Sequence, residues 1–398
     1  MRQWSGVRPR GVIRMHGVGE RLDGEVAPAG RIAELDSVRG LAALAVLIYH
    51  ANRAWLPFGW AGVDLFFVLS GYLITSIILK NGGSAGFLRN FYVRRGLRTW
   101  PIYYLLIGIL IVLSPFLARR FFWSGLPYVL TYTQGLPRLW SGTASRFSMY
   151  LAHAWSLAIE EQFYLLWPAL VLVAGRRRLP LLALACAGGS VLARSRGIWF
   201  DGLFAQADGL ALGGWLAAHR LAELRPARPP RGFRFASPVT AVPALGGLLI
   251  LITIAARVGL GPNDGLRTYP GLAVLAFNLL WLGLIDLVLT HAGRPAIKLL
   301  RLRPLRHLGR ISYGLYLYHY PILLIALDLA RGLGYSGNLL GLRLLAVLVS
   351  VPVAGVSWRF IERPLLERSG YSKITPFRVD RSPRADHSSS RASTSARS

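Results

Sequence analysis

The feature that most constrains this chain is its repeated alternation of long apolar runs with short basic clusters. Apolar segments recur near 38–54, 62–79, 100–117, 149–174, 179–194, 202–218, 238–256, 270–290, 307–330 and 340–358. Each is close to the length an α-helix needs to cross a hydrocarbon core of about 30 Å. In lipid a backbone must satisfy its own hydrogen bonds, so such runs fold as helices. The expected fold class is therefore all-α: a polytopic transmembrane helical bundle of about ten spans. The first and fifth runs are short and extend into neighbouring residues or are partly re-entrant.

Charge placement gives an orientation. The chain has 46 Lys and Arg against 18 Asp and Glu, a net charge of +28. That excess would suit a nucleic-acid binder only if it formed one face. Here it alternates with the apolar runs, as the positive-inside rule requires of cytosolic loops. With the N-terminus in the cytosol, the inside segments hold 35 of the 46 basic residues and the outside loops hold 11. The split favours an even number of spans, both termini and residues 219–237 in the cytosol, and the plasma membrane as location. Residues 1–34 lack the apolar core of a secretory signal and read as a flexible tail. Residues 366–398, rich in Ser and Arg, read as a disordered tail. Between them, 35–365 form the membrane domain. Cys186 is the sole cysteine, so no intrachain disulfide or cysteine metal site is expected.

Several polar residues sit where lipid would exclude them. In "RIAELDSVRGLAALAVLIYH", residues 31–50, Asp36 and Arg39 stand at the mouth of a span and His50 near its far end. Arg39 and His50 share a helix face, roughly 16 Å apart along the axis. A deep ionisable group costs a few kcal/mol unless it faces protein or a water-filled cavity. The plain reading is a histidine satisfied by a neighbouring helix. In "HAWSLAIEEQFYLLWP", residues 153–168, Ser156 and Glu160 lie one turn apart, with His153 on nearly the same face. An aromatic belt explains Trp155, Tyr164 and Trp167 but not two adjacent acids. "RISYGLYLYHYP", residues 310–321, carries Ser312, Tyr316, His319 and Tyr320 as a polar stripe, with Pro321 expected to kink the helix. Packing explains the tyrosines as well as function does. "FYVRRGLRTWPIYY", residues 91–104, brings Arg94, Arg95 and Arg98 to the cytosolic end of a span. They serve either as topology anchors or as a phosphate clamp, which guanidinium fork geometry suits. Asp64 and Ser70 fall within "WAGVDLFFVLSGYLIT". No Walker A, GxGxxG, CxxC or HExxH pattern occurs.

Taken in order, "LDSVRGLAALAVLIYH", "GVDLFFVLSGYLIT", "FYVRRGLRTWPIYY", "HAWSLAIEEQFYLLWP", "ISYGLYLYHYP" and "FIERPL" resemble the acyltransferase-three family of integral-membrane O-acyltransferases, over Leu35 to Leu365. The resemblance implies about ten helices, a cytosolic acyl-CoA donor with acetyl the commonest acyl group, and transfer to a sugar hydroxyl of a cell-surface glycan or glycosylated metabolite. It places the family's Arg-x10-His motif on Arg39 and His50, its Arg-x-x-Arg motif on Arg95 and Arg98, and its acidic position on Glu160. Ser37 departs from the usual glycine. Larger members append an extracytoplasmic hydrolase-like domain; about 35 residues follow Arg363, too few for one, so such an activity would come from another chain.

Together these observations give the expectations for the site. His50 is the general base, with Glu160 orienting its ring and Asp36 beside Arg39. Arg39, Arg95 and Arg98 hold coenzyme A phosphates. Ser156, Tyr316 and His319 are further candidates, and no metal is expected. The partners are the lipid bilayer, acyl-CoA and a glycan acceptor, with no nucleic acid. The rival classes are a transporter or flippase, which would not consume acyl-CoA, and a structural membrane subunit, which would not need His50 or the arginines.

Overall fold

A computed structural model describes residues 21–22, 25–26, 32–117, 121–136, 147–197, 202–223, 237–258, 270–335 and 337–368. Of the two expected tails, most residues lie outside these, as do most of the 219–237 linker and the loop 259–269. Apart from a two-residue antiparallel pair, β1 (Arg21–Leu22) with β2 (Glu25–Val26), the described regular structure is helical. The helices are α1 (Ala33–Ala51), α2 (Gly62–Asn81), α3 (Phe87–Leu113), α4 (Leu126–Leu130), α5 (Trp155–Ser195), α6 (Leu203–Glu223), α7 (Pro238–Val258), α8 (Pro270–His291), α9 (Arg303–Arg310), α10 (Ser312–Gly332), α11 (Leu340–Ser357) and α12 (Arg363–Arg368).

Among the described residues, six helical segments are long and apolar enough to cross a membrane, which makes the chain a multi-pass membrane protein. They are Gly59–Asn81, Phe87–Phe116, Met149–Ser195, Pro238–Ala256, Gly271–His291 and Leu340–Glu367. The expected count of about ten is not reached on this measure, for two physical reasons. The runs at 149–174 and 179–194 are one helical segment of 47 residues, turned at Gly175, whose φ of 68° a side chain would disfavour. And α1, α6 and α10, each 19 to 21 residues long, carry the ionisable and polar side chains of the interior, which lower their apolarity.

The outside of the bundle is apolar. Val112 and Val173 are 72% and 87% exposed, beside many exposed leucines. Such a surface suits hydrocarbon as solvent rather than water. The inside is held by close backbone approach where glycines allow it. A Cβ on Gly71 of α2 would stand 1.8 Å from the Leu210 carbonyl oxygen of α6, and one on Gly213 of α6 would stand 1.9 Å from that of Val68. At the mouth of α1 a Cβ on Gly309 would reach within 1.8 Å of the Asp36 carbonyl oxygen, which locks α9 against α1. Small residues permit this contact where no hydrophobic force drives helices together.

Two ion pairs, one fully and one partly buried, on residues absent from the sequence-derived site, tie the second half of α5 and helices α6 and α8. Arg194 donates to both carboxylate oxygens of Asp208, at 2.9 and 2.6 Å, with side chains 2% and 0% exposed. Arg220 pairs with Asp286 at 2.5 Å, and Asp286 also accepts from the Thr240 hydroxyl and the Ser237 N–H of α7.

Candidate active site

The first half of α5, together with α1, α2, α3 and α10, encloses two polar groups stacked along one column. The lower group gathers residues from both arginine motifs. The charges acting on the Arg39 guanidinium are those of Arg98, Asp36, Glu160 and Arg95. Arg39 also stands over the Phe66 ring at 5.9 Å, and its Nε is buried without a hydrogen-bond partner among the described residues. The Arg95 guanidinium carbon stands over the Tyr164 ring, 3.7 Å from its centroid, and Arg95 is 3.8 Å from Glu160 Oε2. Glu160 Oε1 accepts the Ser70 hydroxyl at 2.7 Å. Its neighbour Glu161 turns to α3, where it accepts from Thr99 and Trp100 at 2.9 and 3.1 Å. The two adjacent acids therefore do different work: one faces the arginines, the other joins α5 to α3.

The upper group is histidine-rich. His50 Nδ1 is 2.9 Å from His319 Nε2. The ring of His153 stands 5.3 Å from that of His319 and 5.2 Å from that of Tyr320, and Tyr320 lies 4.9 Å from His50. Tyr316 bonds the Ser156 hydroxyl at 2.6 Å and donates to the His153 carbonyl at 3.0 Å. Ser156 lies one helical turn from Glu160, so α5 connects the two groups. Phe66 lies between them, 6.4 Å from the Tyr316 ring.

The structure thus brings together Asp36, Arg39, Arg95, Arg98 and Glu160 at one level, and His50, Ser156, Tyr316 and His319 at another. It separates one pair that the sequence reading links, His50 and Glu160. Asp36 is roughly 21 Å along α1 from His50, so it belongs with the arginines. Glu160 bonds Ser70 and faces Arg95, whereas the hydrogen-bond partner of His50 among the described residues is His319. The reason is register: at residue 153 the α5 segment is level with His319, and by residue 160 it has descended nearly two turns.

Pro321 does not break α10, which runs on to Gly332. It has another effect. Lacking an N–H, it leaves the Leu317 carbonyl without its helical donor, and His153 Nε2 lies 3.2 Å from that oxygen. Ser37 donates to the Leu300 carbonyl at 2.5 Å, so its departure from glycine serves packing.

Some contributors escape the sequence reading. Ser70 and Tyr164 stand out in it, one as a buried hydroxyl and one as a belt aromatic, without their roles beside Glu160 and Arg95. Glu362 enters only inside "FIERPL", yet its carboxyl feels the Arg98 charge and accepts from Ser357 at 3.3 Å. Its signal is an acid within a motif at the end of a span. Among the described residues, no group of three or more His, Cys, Asp or Glu side chains is placed to hold a metal ion.

Comparison with known proteins agrees with this architecture. The chain is 30% identical over 376 residues to the peptidoglycan O-acetyltransferase OatA of Listeria monocytogenes, covering 84% of this chain and 56% of that protein. It is 31% identical over 371 residues to the putative peptidoglycan O-acetyltransferase YrhL of Bacillus subtilis, with 84% and 55% covered. It is 27% identical over 361 residues to the O-acetyltransferase OatA of Staphylococcus aureus, with 84% and 57% covered. The chain thus spans about half the length of these curated relatives. No solved structure matches it. The model of the family described as "Acyltransferase domain" matches residues 32–359, from the start of α1 to the end of α11 and across both polar groups, and the chain belongs to that acyltransferase family.

Proposed function

We propose that this protein is a membrane O-acetyltransferase that moves an acetyl group from cytosolic acetyl-CoA to a hydroxyl of a cell-wall glycan. The observation that carries this reading is the two-level column. A cluster of guanidiniums at one depth suits the phosphates of a long donor. An imidazole some three turns further in suits the reacting end. The names of the relatives support acetyl as the group and peptidoglycan as the acceptor class.

In this mechanism Arg39, Arg95 and Arg98 bind the donor phosphates. Tyr164 and Glu160 hold Arg95 in its plane, and Glu160 tempers the positive charge of an empty site. The pantetheine arm then carries the thioester up the column, past Phe66. His50 Nε2 takes the proton of the acceptor hydroxyl as its oxygen attacks the thioester carbonyl. The C–S bond breaks, and the proton passes from His50 to the departing thiolate.

The reading also includes ten passes with both described ends on the cytosolic face. Packing directions support it. α2 runs against α1, with Gly62 beside Ala42 and Gly59 beside Ala45. α3 runs against the first half of α5, through Tyr92 to Leu165 and Thr99 to Glu161. That half runs with α2, from Ser70–Glu160 to Thr75–Trp167. After Gly175 the second half runs against α6 through Arg194–Asp208. α8 runs with α6 and against α7, and α11 runs against α10.

Purified protein in nanodiscs, given acetyl-CoA and a soluble glycan acceptor, should release free CoA and add the mass of one acetyl group to the acceptor. His50→Gln should do neither while unfolding at the wild-type temperature. A wild-type protein that moves glycan across the bilayer without consuming acetyl-CoA would favour the transporter class and end this proposal.

A further inference from the structure

The hydrogen bonds of the upper group fix which nitrogen of each histidine carries its proton. His319 Nδ1 lies 2.6 Å from the Tyr316 carbonyl oxygen and 3.2 Å from that of Leu315. A carbonyl only accepts, so His319 Nδ1 is protonated. In neutral His319 the other nitrogen, Nε2, is then bare. His50 Nδ1 lies 2.9 Å from it and must donate. His50 is thereby held as the Nδ1–H tautomer, with its lone pair on Nε2. The backbone of α10 dictates, through one intervening ring, which nitrogen of His50 is basic.

The same helix fixes His153. Its Nε2 donates to the carbonyl that Pro321 leaves unpaired, so its lone pair is on Nδ1, which is buried and has no hydrogen-bond partner among the described residues. His153 therefore presents no proton to His319 Nε2. The only described hydrogen bond to that nitrogen comes from His50.

We propose that His319, rather than Glu160, is the positioning residue of the base. It holds the His50 ring in one tautomer and one orientation, and it supports the charge on His50 when Nε2 takes the proton of the acceptor hydroxyl. This rests on the assignment of His50 as base under the proposed function. The step is balanced: the hydroxyl proton goes to His50 Nε2, the Nδ1 proton stays in the bond to His319, the new C–O bond replaces the C–S bond, and the Nε2 proton leaves with the thiol. A fixed tautomer, held by a group that does not itself react, is how an orienting partner contributes to general-base catalysis.

The test uses the full-length protein in nanodiscs. His319→Leu removes the acceptor of the His50 bond and should lower kcat by about 10²-fold or more, with the KM for acetyl-CoA unchanged. His319→Gln places an amide oxygen near the lost Nε2, accepts from His50 Nδ1 and should recover about tenfold of that loss. Nitrogen-15 NMR of histidine-labelled wild-type protein, with the His50 signals assigned by their loss in His50→Gln, should show a protonated Nδ1 and a bare Nε2. That readout needs no activity, and of the variants it needs only a folded His50→Gln for the assignment. A proton on His50 Nε2 in neutral wild-type protein would overturn the proposal. So would full turnover in folded His319→Leu, and if His50→Gln were inactive in the same assay the transferase reading would survive. Activity in His50→Gln would remove the base and the positioning role together. A wild-type protein with no transferase activity would fail the proposed function instead.

Discussion

The Arg194–Asp208 pair offers the sharpest test of how the interior is held. Both side chains are almost wholly enclosed, the two bonds are bidentate, and Arg194 also donates to the carbonyls of Ala205 and Gly271. Breaking a buried pair by removing one partner leaves an uncompensated charge, which costs about 3–5 kcal/mol. Arg194→Met should therefore destabilise by about that amount, since Asp208 at 0% exposure has no access to water. Asp208→Leu should cost about the same, tempered by the carbonyls that Arg194 keeps. The double variant removes both charges and should cost far less than the sum, with a coupling energy on the order of 3 kcal/mol. Reversible unfolding by SDS titration in mixed micelles, run on all four proteins, closes the cycle. Additive losses would refute the reasoning, because they would mean that each charge is satisfied independently of the other.

Further outcomes follow from the same contacts. Gly309→Ala should reduce folded protein in the membrane, because its Cβ would lie 1.8 Å from the Asp36 carbonyl oxygen; overpacking of this kind costs about 1–3 kcal/mol. Gly108→Ala, with nothing within 4 Å, should be neutral by the same expression assay. Arg95→Lys loses the guanidinium contact over Tyr164 and the fork for phosphate, so the KM for acetyl-CoA should rise about tenfold, and an unchanged KM would reduce Arg95 to a topology anchor. Glu160→Gln keeps an acceptor for Ser70 and removes the charge beside Arg95; donor affinity should change while the His50 tautomer seen by NMR does not. In a Cys186→Ser background, an impermeant thiol reagent added outside cells should label Asn338→Cys, exposed between α10 and α11, and spare Ser84→Cys, exposed between α2 and α3. The reverse pattern would invert the topology.

What could be read without a structure was whatever depends on local chain chemistry. Apolar runs of membrane length dictate helices because lipid offers the backbone no hydrogen bonds. Basic clusters give an expected orientation, and ionisable residues inside such runs stand out because lipid penalises them. Asp36, Arg39, His50, Arg95, Arg98, Glu160, Ser156, Tyr316 and His319 were all visible on those grounds, and each lies in one of the two polar groups. Partnership was a different matter. Whether Glu160 or His319 meets the His50 ring depends on the depth at which α5 and α10 pass α1, and no spacing within one helix encodes that. The bearing of Glu362 on Arg98, the bed that Tyr164 provides for Arg95, and the Arg220–Asp286 pair also join segments remote in sequence. Helical periodicity fixes which side chains share a face; only the packing of one helix on another, set here by glycines that let backbones nearly touch, decides which faces meet and at what height.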